Sequence, residues 1–164
     1  MMDTAARGVP VLGVCFGHQL LAHAHGARVV RNTHGREIGT VELALNAAGL
    51  EDPLFHGMPE RFTVYSTHED IVEHPPEGTT VLAGNANTAV QALAFGPLMR
   101  GVQFHPEVHP AAMRALILAR AEKLEAEAVS RGMPPGERVP RLLAGIDLSR
   151  AGQQVLTNFV EQFT

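Results

Sequence analysis

The chain has 164 residues, 45% of them apolar, with one cysteine and a formal net charge of −4. That is enough for one domain, residues 1–164, with a sizeable core, while an acidic balance without any basic block excludes nucleic acid as an electrostatic partner. No apolar run approaches membrane-spanning length and no signal-peptide pattern opens the chain, so no membrane partner is expected; a lone cysteine excludes an internal disulfide framework and fits a reducing cytoplasm.

Residues 1–8 are small and polar and read as a frayed end or the remnant of a helix. Residues 9–14 form an apolar, β-branched run that meets Gly13-Val-Cys15-Phe-Gly17, and a helically spaced stretch follows as far as Gly26. Strand, sharp turn and helix are predicted, with Leu20, Leu21 and Ala24 toward the sheet. A cysteine among apolar residues is ordinarily a small buried hydrophobe. Here glycines on both sides let the backbone pass close to Cys15, and the following helix N-terminus favours a thiolate and steadies a developing oxyanion. Cys15 is therefore the candidate nucleophile.

A short strand is expected from Arg28 to Arg31, a turn at Asn32-Thr-His-Gly35, and an alternating strand over 39–45. Residues 52–59 read as a helical turn and loop, and 61–65 as a strand that delivers Ser66, Thr67 and His68 to its end. Strands over 79–83 and 89–95 are separated by a turn at 84–88, and Gly96-Pro97 closes a hairpin into 99–104. That last strand ends in His105-Pro-Glu107, where proline breaks the ladder and the carboxylate can fold back to fix the imidazole. Residues 110–131 read as one helix, Arg138 to Asp147 is less regular, and Ser149 caps a final helix through Phe163. Nine histidines raise the question of a metal, but neither His18, His23 and His25 nor His105 and His109 make a zinc signature, so no metal is expected.

Gly13-x-Cys15-x-Gly17-x-Gln19 together with His105-x-Glu107 resembles the class I glutamine amidotransferase domain, and Ser66-Thr-His68-Glu-Asp70 looks like the GMP-synthase-like, stand-alone branch. The resemblance implies an α/β fold, a three-layer open sheet of flavodoxin-like type. It implies a catalytic Cys15, His105 and Glu107, and substrate contacts from Phe16, Gln19, Ser66, Thr67 and His68. It also implies that residues 28–45 form an antiparallel hairpin over the site, and that residues 111–147 are a helical insertion giving extra C-terminal helices. Family members carry strands and a Gly-Gly-rich oxyanion loop ahead of the elbow, so the domain is expected to lack its first strands. The implied activity is hydrolysis of the glutamine side-chain amide through a γ-glutamyl thioester, with no cofactor. No Gly-x-x-x-x-Gly-Lys loop occurs, so an ammonia-accepting synthetase would be another chain. Two other readings stay open: a γ-glutamyl peptide or amide hydrolase, and an inactive fragment or subunit without the front loop.

Overall fold

Strand order is set by which apolar faces need covering, and the result is a six-stranded mixed sheet. A computed structural model describes residues 7–147 and 149–164, so most of the expected frayed end lies outside the described residues. The strands are β1 (Val11–Val14), β2 (Val29–Arg31), β3 (Glu37–Leu45), β4 (Arg61–His68), β5 (Asp70–Val72), β6 (Thr80–Gly84), β7 (Ala92–Ala94) and β8 (Met99–Val102). The helices are α1 (Phe16–Ala24), α2 (Ala47–Glu51), α3 (Pro110–Ala119), α4 (Ala121–Val129), α5 (Arg138–Ala144) and α6 (Ala151–Phe163), with a 3-10 turn at Pro53–Phe55. The sheet runs β1-β8-β7-β6-β3-β4; β1 and β8 are parallel and every other pair is antiparallel.

Alternation along the strands divides the core between two faces. Leu43, Leu45, Phe62, Val64, Val102 and Phe104 pack with the 3-10 turn and Val155 of α6. The opposite face carries two separate clusters: Leu21, Ala22, Leu93 and Met99 under α1, and Ile38, Tyr65, Met113, Ile117 and Leu124 under α3 and α4. This gives the three layers the sequence implied. Among the described residues no helix is long and apolar enough to cross a membrane.

Five expectations are corrected. Residues 28–45 do not form a hairpin: β2 pairs with β5 in a separate two-stranded sheet, while β3 lies between β4 and β6. The turn at Asn32 is as read, with Oδ1 accepting from His34 N–H, but the nine residues of β3 gain more by joining the main sheet on both edges. The helix over 110–131 is broken at Arg120, whose φ and ψ are −110° and 12°. The apolar stripe Met113, Ile117, Leu124, Ala128 has no large apolar side chain at 120 or 121, so no apolar packing continues the helix through that point.

Helix α1 buries Leu21 and Ala22 but leaves Leu20 37% exposed and Ala24 at the surface, because the elbow turns the 18/21/22 face inward. Residues 89–91 are irregular rather than ladder, since a register shift between Val81 and Ala83 displaces them. Ser149 is not the cap expected of it: the N-cap of α6 is Arg150, without a side-chain bond, and Ser149 Oγ, one residue earlier, accepts only from the first helical N–H, that of Ala151. Elsewhere local signals held. Gly26 (φ 93°) ends α1 with Gly26 N–H on His23 C=O and Ala27 N–H on Ala22 C=O.

Candidate active site

Cys15 sits between β1 and α1 with φ 48° and ψ −101°, the one non-glycine residue at positive φ among the described residues. A backbone so placed costs roughly 1–3 kcal/mol and persists only where its surroundings enforce it. They do: Cys15 N–H donates to Val102 C=O at 2.8 Å, continuing the parallel ladder, while Cys15 C=O accepts from Gln19 N–H at 3.1 Å inside the helix. The side chain is thereby lifted off the sheet at a helix N-terminus. Phe16 begins α1, so its N–H has no intrahelical acceptor, and its ring is 71% exposed.

The two glycines beside Cys15 are not equivalent. A Cβ at Gly13 would stand 2.6 Å from Leu21 Cδ1 and 2.7 Å from Gly17 C=O, whereas a Cβ at Gly17 would meet nothing within 4 Å. The close pass is therefore Gly13 against the carbonyl of Gly17. Gly13→Ala should lose about 1–3 kcal/mol by overpacking, and Gly17→Ala should be neutral to slightly stabilising, as measured by urea unfolding. Equal losses would refute this assignment.

His105 follows β8, and its N–H donates to Tyr65 C=O at 2.8 Å although β8 and β4 are not neighbours in the sheet. The curled sheet thus brings its far strand to the His-Pro-Glu turn. From the other side α6 supports the same turn: a Cβ at Gly152 would lie 2.6 Å from Pro106 C=O. His105 Nδ1 and Glu107 Oε1 are 2.7 Å apart, with side chains 19% and 53% exposed. Nε2 is left for Cys15. The imidazole pKa is raised to about 9, first by its hydrogen bond with Cys15, against which burial works, and then by the hydrogen bond and charge of Glu107. The cation is the resting form across neutral pH.

The other expected site residues lie close by but mostly turn inward. Gln19 is buried, and its Nε2 donates to Asp70 C=O at 2.8 Å and to Gln103 Oε1 at 3.2 Å. Ser66 is fully buried, Thr67 Oγ1 accepts from Arg120 at 2.8 Å, and His68 is only 4% exposed. His68 Nε2 lies 2.8 Å from Glu37 Oε2, and Glu37 also accepts from Asn85 and Gln91, both at 2.6 Å. Burial raises the Glu37 pKa, yet the hydrogen bonds from His68, Asn85 and Gln91 and the charge of His68 outweigh it and hold Glu37 below the ordinary carboxylate value. Ser66 and His68 thus present almost no surface, and of the three only Thr67 is partly exposed.

Sequence reading missed Gln103, Glu37 and Gly152. Gln103 is fully buried with Nε2 3.7 Å from Cys15 Sγ; a glutamine inside the apolar run Val102-Gln103-Phe104 was the available signal. A cleft of about 430 Å³ is walled by Tyr65, His105, Glu107, Arg150, Gln153 and Leu156, and Cys15 is not part of that wall. Among the described residues no group of three His, Cys, Asp or Glu could hold a metal.

Comparison with known proteins matches residues 1–123 to the family described as "Glutamine amidotransferase class-I". The glutamine-hydrolyzing GMP synthase of Thermomicrobium roseum is 42% identical over 111 residues, 68% of this chain and 20% of that protein. One subunit of the glutamine-hydrolyzing GMP synthase of Saccharolobus solfataricus is 43% identical over 101 residues, 61% of this chain and 52% of its own length. The matched region thus spans about a fifth of the length of the first relative and half that of the second. Among solved structures, a glutamine amidotransferase of Thermotoga maritima superposes with TM-score 0.76 at 25% identity, covering 99% of this chain and 65% of that one. One from Methylobacillus flagellatus gives TM-score 0.81 at 25% identity over 99% of this chain and 67% of that one.

Proposed function

The chain belongs to the class I glutamine amidotransferase family, and from that premise we propose that it hydrolyses the side-chain amide of glutamine, supplying ammonia to a synthetase on another chain. The observation that carries this reading is Cys15, held at positive φ on a helix N-terminus beside an imidazolium that Glu107 orients. The names of the relatives, glutamine-hydrolyzing GMP synthases, support glutamine as substrate and a GMP-synthase-like acceptor.

The raised affinity of His105 for a proton makes it the acceptor for the thiol proton of Cys15. Cys15 Sγ attacks the amide carbon, and the Phe16 N–H stabilises the oxyanion. Collapse breaks the C–N bond as His105 Nε2 gives its proton to the departing ammonia. Neutral His105 then takes a proton from water, hydroxide attacks the thioester, and glutamate leaves as the imidazolium is restored. The backbone of residues 66–68 and Gln19 Oε1 hold the α-amino and α-carboxylate groups of glutamine.

Labelling by diazo-oxo-norleucine, read by intact mass, tests the proposal. One adduct on Cys15, blocked by glutamine, is expected; no adduct in a folded chain would overturn it. Turnover of γ-glutamyl anilide with none of glutamine would favour a γ-glutamyl hydrolase instead.

Glu107 acts through the His105 cation, so Glu107→Gln should lower the alkaline limb of kcat/KM. A partly exposed pair is worth roughly 1 kcal/mol, which moves the limb from near 9 down by somewhat less than 1 in pH. A pH–rate profile that does not move would remove this role.

A further inference from the structure

Behind the nucleophile two buried carboxamides form a directed chain that the reaction scheme does not use. It starts at the carbonyl of Asp70, which can only accept. Gln19 Nε2 donates to that carbonyl at 2.8 Å, which settles which end of the Gln19 amide is nitrogen. Its second N–H donates to Gln103 Oε1 at 3.2 Å, so Gln103 must in turn present its nitrogen on the far side. That nitrogen lies 3.7 Å from Cys15 Sγ, within the reach of an N–H···S hydrogen bond. Gln103 itself is pinned by its backbone N–H on Gln91 C=O at 2.8 Å, and it has no exposed surface. Reversing either amide would set two nitrogens or two oxygens against each other in a site without solvent.

We propose that Gln103 is a positioning residue for Cys15: oriented by Gln19 and the Asp70 carbonyl, it directs an N–H at the sulfur, favouring the thiolate and fixing its rotamer from the side opposite substrate. This rests on the reading of Cys15 as nucleophile, and it explains why Gln19 buries its donors instead of turning them to a ligand. A hydrogen bond to a charged acceptor in a dry site is among the stronger ones. His105 supplies a proton that leaves during the reaction, whereas Gln103 donates to the sulfur without giving its proton up.

The test is the pH profile of Cys15 alkylation by iodoacetamide, which needs no glutamine and no turnover; a chain that fails to hydrolyse glutamine still reports on it. Gln103→Met keeps the volume and removes the donor. The acid limb of alkylation should move to higher pH by about 1, so that at a given pH on that limb the rate falls roughly tenfold, with thermal unfolding still cooperative. An unchanged profile in a folded variant overturns the proposal. Gln19→Met leaves Gln103 in place but frees its amide to rotate, and it should move the limb the same way by less. It decides the question should Gln103→Met fail to fold. In the wild-type chain labelled with ¹⁵N, the Gln103 side-chain amide resonances should titrate with the alkylation limb; their invariance would overturn the proposal whatever the variants do.

Discussion

His105→Ala is expected to lower kcat for glutamine by about four orders of magnitude or more, the scale on which a nucleophile loses its paired imidazole. Two roles vanish together: the cation that favours the thiolate before attack, and the acid that protonates the leaving ammonia. Glutamine binding should survive, because the proposed substrate contacts come from Gln19 and the backbone of residues 66–68, so KM should change far less than kcat. Steady-state glutamate release checks the first point and protection against diazo-oxo-norleucine the second. A variant that retains a tenth of the wild-type kcat would remove His105 from the mechanism. The same proton has a consequence for stability. Its folded-state pKa, about 9, lies above the ordinary 6.5, so the stabilisation from this site is fully present below pH 6.5 and is lost as pH rises through 9.

Glu37→Leu should cost roughly 3–5 kcal/mol, the range found when one partner of a buried charged cluster is removed. Glu37 accepts from His68, Asn85, Thr88 and Gln91 at once, so its loss takes an acceptor from four donors, three of them on buried residues. It also ties β3 to β4 at the register Glu37↔His68, the end of β4 that continues into the site. Urea unfolding at neutral pH measures the loss; a change below about 1 kcal/mol, the scale of an ordinary surface substitution, would show that the cluster is not structural. The sign with pH follows from the depressed folded-state pKa: stability from Glu37 is present above 4.5 and lost as pH falls through its folded value. His18 acts in the same direction. Burial lowers its pKa from 6.5 to about 4, so stability is full above pH 6.5 and declines as pH falls toward 4. The fold should therefore weaken in mild acid before most exposed carboxylates titrate, and Glu37→Leu should be the less acid-sensitive chain.

Residues close together in the sequence announced themselves. The elbow at Cys15, the Asn32 turn, the Gly26 stop and the pairing of His105 with Glu107 two residues on are each decided within a few residues by glycine, proline, a short polar side chain or a β-branched run. The strands of the main sheet could also be read, because their alternation reflects one face turned to a core.

Partners distant along the chain could not be read in this way. Nothing local says that β2 takes β5, that His68 turns from a ligand-facing loop to a buried partner of Glu37, or that Gln103 reaches Cys15. Nothing local says that Gly152 must be small for Pro106, or that α1 turns His18 rather than Leu20 inward. Each of these depends on strand register and helix phase, which are global properties: a slip of one residue in β4 would exchange Ser66 and His68 for Thr67 on the inner face. The sequence by itself determined the elbow at Cys15, the histidine beyond the last strand and the carboxylate that pairs with it two residues on. Which buried amides and charges hold those three in place was decided only when the sheet curled and brought its strands together.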